Sequence, residues 1–179
     1  IGVVLVFRDQ TEERHTQKIM NARLKIVEQE KNKSLHDIFQ STIDEIGKLL
    51  DSPIGFYHKL LPDEETLGLQ VWSTKTEKEL CLTDGNSLHY NINEAGLWAD
   101  CVRQRKPVIH NDYESLPQKK GLPEGHVPII RELVVPIIRE DKIVAVLGVG
   151  NKPSFYTQKD LETVSFLADV LWEVAEKKI

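Results

Sequence analysis

RELVVPIIREDKIVAVLGVG, residues 131–150, decides the fold. Glu132 to Ile138 and Ile143 to Val149 are two almost unbroken runs of aliphatic, mostly β-branched residues, separated by the polar tetrad Arg139-Glu140-Asp141-Lys142. Such runs suit strands covered on both faces, and the polar break between them suits a hairpin turn, so the pair is expected at the centre of a sheet. Working outward towards the C-terminus, Thr157 and Asp160 have the spacing of a capping box. They open a helix from Gln158 to Lys177 with Leu161, Val164, Leu167, Ala168, Leu171 and Val174 on one stripe.

On the N-terminal side, Val108 to His110 reads as a brief strand. Before it, Asn93 caps an expected helix from Glu94 to Arg105, with Leu97, Trp98, Cys101 and Val102 on its apolar side and Pro107 closing it. Leu88 to Ile92 forms a short strand, and Thr76 to Cys81 a short helix in which Thr76 and Glu79 are spaced as a capping box. Ile54 to Leu60 and Thr66 to Ser73 make a second hairpin around Pro62-Asp63-Glu64-Glu65. Ser34 and Asp37 begin a helix with Leu35, Ile38, Phe39, Ile43, Ile46, Leu49 and Leu50 at helical spacing, which stops at Asp51-Ser52-Pro53 because the residue before a proline leaves the helical region. The order helix, hairpin, short helices, hairpin, helix gives an α+β domain, an antiparallel sheet flanked by helices.

Ahead of this unit, Ile1 to Phe7 is strand-like, and Thr11 to Lys33 is a long helix free of Gly and Pro. Met20, Leu24 and Val27, with Lys31 and Ile38, fall on heptad-like positions and suggest a seam for a second copy. The chain starts without Met and inside a strand-like run, which reads as a piece of a longer protein.

Composition narrows the function. The 179 residues carry a net charge of −5, with acids and bases interspersed, so nothing draws the chain to phosphate backbones and no nucleic-acid partner is expected. Two cysteines without CxxC spacing argue against a disulfide framework and for a reducing, cytoplasmic setting. No apolar run reaches bilayer length. The six histidines form no HxH, HxxxH or HExxH pattern, so structural zinc is not expected. VLGVGNKP has glycines at a strand end, but no helix follows directly and no Lys-Ser or Lys-Thr pair is present, which removes the phosphate-loop and dinucleotide readings.

Two families share these patterns. GVVLVFRDQTEE resembles the end of a PAS domain, whose last strand finishes in an Asp-x-Thr-Glu sequence, here Asp9 to Glu12. LQVWSTKTEKELC, the stretch from His89 to Ile137, and VAVLGVGNKPSFYTQKDLE resemble a GAF domain of the kind found in bacterial and archaeal sensor histidine kinases. The resemblance implies a PAS end at 1–10, a signalling helix at 11–33 and a GAF domain at 34–178. It also implies a small-molecule sensor that dimerises through its terminal helices and catalyses nothing itself. Ligand candidates are Phe56 and Trp72 on the first hairpin, Trp98 and Cys81 beside the short helices, and His110, Asp112, Tyr113 and His126 around the long loop. Arg131, before the central strand, is a further candidate for a bidentate grip on a ligand anion.

Three narrower readings accompany the resemblance. Asn151, Lys152 and Phe155 look like the start of the motif of cyclic-nucleotide GAF domains, but Asp160 is displaced by one residue and followed by Leu161, so a turn into the last helix is the simpler role. Kinases of this kind that hold haem through a cysteine imply Cys81 or Cys101 as the sulfur and His110 or His126 as the axial imidazole. A free methionine sulfoxide reductase, also GAF-like, needs a nucleophilic cysteine, whereas Cys101 is expected to be packed.

Overall fold

Five strands form one antiparallel sheet in the order β2-β1-β5-β4-β3, as expected for the α+β class. The computed structural model describes residues 11–80, 92, 95–117 and 127–178. Its strands are β1 (Ile54–Leu60), β2 (Leu67–Trp72), β3 (Val108–His110), β4 (Glu132–Arg139) and β5 (Lys142–Gly150). The aliphatic runs of 131–150 form the β4–β5 hairpin at the heart of the sheet. Its turn uses Glu140 and Asp141 at φ 47° and 60°, the left-handed pair that matches the twist of the flanking strands. Pro136 is tolerated within β4 because β3 pairs only with residues 132–134, leaving β4 unpaired on its outer side at position 136.

Three long helices lie on one face: α1 (Thr11–Glu28), α2 (Leu35–Leu50) and α4 (Gln158–Glu176). Ser34 Oγ accepts the Asp37 N–H at the start of α2, and Thr157 and Asp160 exchange both capping-box bonds at the start of α4. Lys25 meets Glu45 and Ser41 meets Gln29, which makes α1 and α2 an antiparallel hairpin. Glu12 meets Lys159, His15 meets Thr163, and Glu30 meets Lys177, so α1 runs parallel to α4 along its length.

The core between helices and sheet joins Ile38, Phe39, Ile43 and Ile46 of α2 with Val164, Leu167 and Leu171 of α4 and with Tyr57, Leu133, Val135, Leu147 and Val149 of the sheet. Gly55 is required by close packing here, since a Cβ would lie 2.3 Å from Ile43 Cγ2. The α1 helix contributes Ala22 and Ile26 to the same core, while Met20, Leu24 and Val27 stay exposed on its other side. Its apolar residues therefore serve two stripes, one against its own domain and one facing outward.

Two local expectations are corrected. The helix expected over 94–105 is a 3-10 turn, Leu97–Ala99, running into the one-turn helix α3, Asp100–Arg103. The carbonyls of Ile92, Ala95 and Gly96 accept hydrogen bonds from the Arg103 guanidinium, and those of Ile92 and Gly96 also close i to i+3 turns with the Ala95 and Ala99 N–H groups. At Thr76–Leu80 the turn is π-helical, and Ser73 rather than Thr76 caps it: Ser73 Oγ accepts the Thr76 N–H, while Thr76 Oγ1 accepts the Gly55 N–H of β1. The N-terminal strand with Asp9 and Gln10 of the PAS-like motif, most of the 88–92 strand, Asn93, Glu94, Cys81 and His126 lie outside the described residues, while Thr11 and Glu12 begin α1.

Candidate functional site

Alternation along the strands sends Tyr57, Leu147 and Val135 to the helices and their neighbours to the other face. There the register aligns Val108, Val134, Gly148, Phe56 and Trp72 in one row, with Val146, His58 and Gln70 in the next. This second face is covered by α3 and its approach, through Ala95, Ala99, Cys101 and Val102, with Trp98 packed alongside. Four rings gather on it. Phe56 stacks on His58 at 4.8 Å between centroids, Trp98 stands edge-on to His58 at 5.1 Å, and Trp72 does so at 5.3 Å. Phe56 also meets both indoles, at 5.9 and 6.0 Å. Its ring lies directly over Gly148, where a Cβ would be only 2.2 Å from Phe56 Cζ.

His58, on β1 but not among the candidate ligand residues, sits at the centre of this cluster and is fully buried. Its Nδ1 lies 3.0 Å from the Tyr57 carbonyl, which can only accept, so Nδ1 carries the proton of the neutral ring and Nε2 keeps a lone pair. Burial holds its pKa down at about 4 despite that hydrogen bond, so the ring is neutral at pH 7. Its position two residues from Phe56 on one strand was the signal that placed it on this face.

A chain of charged groups closes the β3–β4 end of the same face. Glu132 stands opposite His110 in the register and accepts from it, Nδ1 to Oε1, at 2.9 Å. On the other side of the imidazole, Nε2 lies 3.6 Å from Asp100 Oδ2, and Asp100 Oδ1 is 2.7 Å from Arg103 Nη1. The imidazole and the two carboxylates beside it are largely withdrawn from solvent, at 13% exposure for His110, 6% for Glu132 and 16% for Asp100. The Glu132 hydrogen bond raises the pKa of His110 against the cost of burial. Burial in turn pushes the Glu132 carboxyl up, against the pull of His110. Tyr113, buried beside them, is bonded to the Leu97 backbone, and burial pushes its phenol up to about 12.

The expected site residues divide accordingly. Phe56, Trp72 and Trp98 come together, and His110 and Tyr113 join the charged end. Asp112 is exposed on the following loop, where its carbonyl accepts from Ser115. Arg131, the candidate grip for a ligand anion, is turned away from the ring cluster. Its Nη1 donates to the Lys152 and Pro153 carbonyls, and its guanidinium sits 5.5 Å over the exposed Phe155 ring. The polar residue that belongs to the site is its neighbour Glu132, because one step along a strand changes the face. Lys152 holds both carboxylate oxygens of Asp160 at 2.8 Å, and Asn151 bonds Ile130 and Pro128, so these motif-like residues fix the passage from β5 into α4.

Haem chemistry needs a free thiolate and a free imidazole. The Cys101 thiol is buried, donates to the Trp98 carbonyl at 3.3 Å, and has its pKa raised by burial. His110 is bonded to Glu132 through Nδ1 and turns Nε2 towards the Asp100 carboxylate 3.6 Å away, inside the domain. Neither residue fits haem, and Cys81 and His126 lie outside the described residues. No group of His, Cys, Asp and Glu suited to a metal occurs among the described residues. A cavity of about 630 Å³ lies away from the rings, on the α2 side between Lys48, Asp51, Ser73, Lys75, Lys78 and Asn151. No helix among the described residues is long and apolar enough to cross a membrane.

Comparison with known proteins agrees with this architecture. Residues 32–176 match the family model of the GAF domain. The methyl sulfide methyltransferase-associated sensor of Methanosarcina acetivorans is 34% identical over 180 residues, which cover 97% of this chain and 18% of that protein. The chain thus spans less than a fifth of that relative's length. Among solved structures, the GAF domain of a Coxiella burnetii phosphoenolpyruvate-protein phosphotransferase superposes with a TM-score of 0.72 at 15% identity, covering 90% of this chain and 95% of that one. The free methionine-R-sulfoxide reductase of Neisseria meningitidis, in complex with its substrate, gives 0.70 at 12% identity over 98% of this chain and 99% of that one. At such identities these two likenesses concern the fold, and together with the family match over 145 of the 179 residues they establish that this chain belongs to the GAF domain family.

Proposed function

We propose that the chain is the small-molecule sensing domain of a multidomain signalling protein, a sensor histidine kinase with a PAS domain ahead of this one. Its recognition surface is the face bearing Phe56, His58, Trp72 and Trp98. One observation carries this reading: four rings converge on a sheet face closed by short turns, while the opposite face is closed by three long helices. A ligand held there favours one packing of the cover over another, and the strands pass the difference to α1 and α4. Only a difference in affinity between the two packings moves that equilibrium.

The fragment performs no reaction in this reading. Among the described residues the one thiol is the buried Cys101, so sulfoxide reduction has no exposed nucleophile on this face. Absence of turnover with free methionine sulfoxide and a thiol reductant is the expected result.

The sensing reading is tested by mass spectrometry and absorption spectroscopy of the protein purified from its native host, together with indole fluorescence during titration with a metabolite panel. A co-purifying or titrating compound whose signal disappears in Trp98→Ala supports it. A bare protein, silent to the panel, supports a second reading in which the domain is a structural spacer. Ring centroids only 4.8–6.0 Å apart favour that alternative, because the cluster already fills its own space.

Dimerisation through the terminal helices belongs to the same proposal. The exposed Met20, Leu24 and Val27 fall at d, a and d of a heptad, with Arg23 and Glu28 at the flanking g and e positions. A parallel second copy sets Arg23 against the partner's Glu28. Sedimentation of Leu24→Glu as a monomer, with the unaltered chain a dimer, is the expected outcome; equal sedimentation of the two removes this interface.

A further inference from the structure

Arg103 gathers the segment that covers the ring cluster. Its guanidinium donates to the carbonyls of Ile92, Ala95 and Gly96 at 3.1, 2.9 and 3.2 Å, so α3 and its approach form one tied unit. That unit meets the rest of the domain through Asp100, whose second oxygen faces His110 of β3, and His110 is in turn bonded to Glu132 of β4. The other groups around the imidazole are Tyr113 from the following loop and Cys101 of α3, whose phenol and thiol burial keeps neutral.

An imidazole between two carboxylates has a sharp dependence on its proton. With both nitrogens protonated it donates to Glu132 through Nδ1–H and faces Asp100 with Nε2–H, attracting both anions. With one proton it serves only one carboxylate, and the lone pair of its other nitrogen is turned towards the second. Attraction then becomes repulsion, in a place with little water to screen it. Asp100 cannot turn away without releasing Arg103, and with it the carbonyls of the cover.

We propose that Asp100, His110 and Glu132 form a proton-dependent clasp that fastens the segment from Ala95 to Arg103 onto the sheet, closed when His110 carries both ring protons and loosened when it carries one. The clasp rests on the sensing proposal only in treating that segment as the cover of a ligand face; its fastening is independent of any ligand. The raised pKa of His110 gives the direction. The fastening is complete below the ordinary imidazole value of about 6.5 and is lost as pH rises through the higher value of the folded protein.

The test uses the unaltered chain first. The His110 ring is titrated by NMR, and amide hydrogen exchange of peptides covering 95–103 is followed between pH 6 and 9, corrected for the intrinsic rate and compared with peptides of α4. We expect His110 to titrate above the ordinary imidazole value. Protection of 95–103 should fall about tenfold for each unit of that displacement, with α4 unchanged. In His110→Gln the protection should become independent of pH, and in Glu132→Gln its pH dependence should shrink; should either variant fail to fold, the NMR and exchange profiles of the unaltered chain decide alone. Titration of His110 at or below the ordinary value, protection of 95–103 that ignores pH, or a pH dependence that survives in His110→Gln overturns the clasp. None of these outcomes bears on whether a ligand binds, which the metabolite titration answers at a fixed pH.

Discussion

Tyr57, Leu147 and Val135 face three long helices, while their strand neighbours Phe56, Gly148 and Val134 face a one-turn helix, a 3-10 turn and a group of rings. The strands are the same; the closure differs. The helix side is a continuous apolar core, including the stacked rings of Phe39 and Tyr57, with regular caps at Ser34 and Thr157, which suits a part that must hold one shape. The other side carries the buried neutral imidazole and the clustered carboxylates, groups whose state depends on conditions. The contrast separates a supporting face from a responsive one.

Four measurements break or sharpen that contrast. Leu147→Ala, on the helix side, should cost about 2–5 kcal/mol in chemical denaturation and, in a Trp172→Phe background that removes the indole of the same core, leave the emission of Trp72 and Trp98 unchanged. A marked spectral change would mean that the two faces are not separate. Acid should act through the opposite face. Because burial holds His58 at about 4 against an ordinary 6.5, its contribution is complete above the ordinary value and is lost as pH falls from there through the folded value. The loss amounts to roughly 3 kcal/mol. Denaturation of His58→Phe over the same range should lack that component; parallel curves for the two proteins would deny a buried neutral ring.

Gly148→Ala should be destabilising by about 1–3 kcal/mol, because the new methyl must displace the Phe56 ring. Here the indole emission is expected to shift as the cluster repacks, and unchanged emission would show that Phe56 does not hold the rings in place. The smallest effect is expected from Tyr57→Phe. The Tyr57 hydroxyl is buried on the helix side with no hydrogen-bond partner among the described residues, so its removal should change stability by less than about 1 kcal/mol or raise it. A larger loss would reveal a bonding partner and a less apolar core.

Much of the supporting face was legible in the sequence, because its determinants are local. Capping pairs at Ser34 and Thr157, helical spacing in 35–50 and 158–176, and the aliphatic runs beside Glu140-Asp141 each specify an element without distant help. The covering segment was not legible. Its carbonyls are shared between tight i to i+3 turns and the side chain of Arg103 further along the same segment, a pattern that the helical spacing of 94–105 does not reveal. In the same way, heptad spacing in α1 showed the outward stripe of Met20, Leu24 and Val27, but not that Ala22 and Ile26 fill a second stripe against the core. Of the site, Phe56 and Trp72 were legible from their places on the β1–β2 hairpin and Trp98 from the apolar side of 94–105, whereas the partnership of His110 with Glu132 needed the β3–β4 register and that with Asp100 needed the path of α3. Arg131 was the plausible charged residue by composition; the pleat gave the place to Glu132.

The offset between the first and last helices has a mechanical consequence. Glu12 meets Lys159 and Glu30 meets Lys177, so the separation in sequence is the same at both ends. Two rods lying side by side in one direction, meshed at both ends, behave as a coupled pair of shafts: torque on one is shared along the whole of the other. The polypeptide therefore enters this unit beside the start of its last helix and leaves beside the end of its first, separated by the helix length of about 28 Å. A twist delivered at one pole has a stiff route to the opposite pole that bypasses the strands, and whatever the rings do can only add to or oppose it.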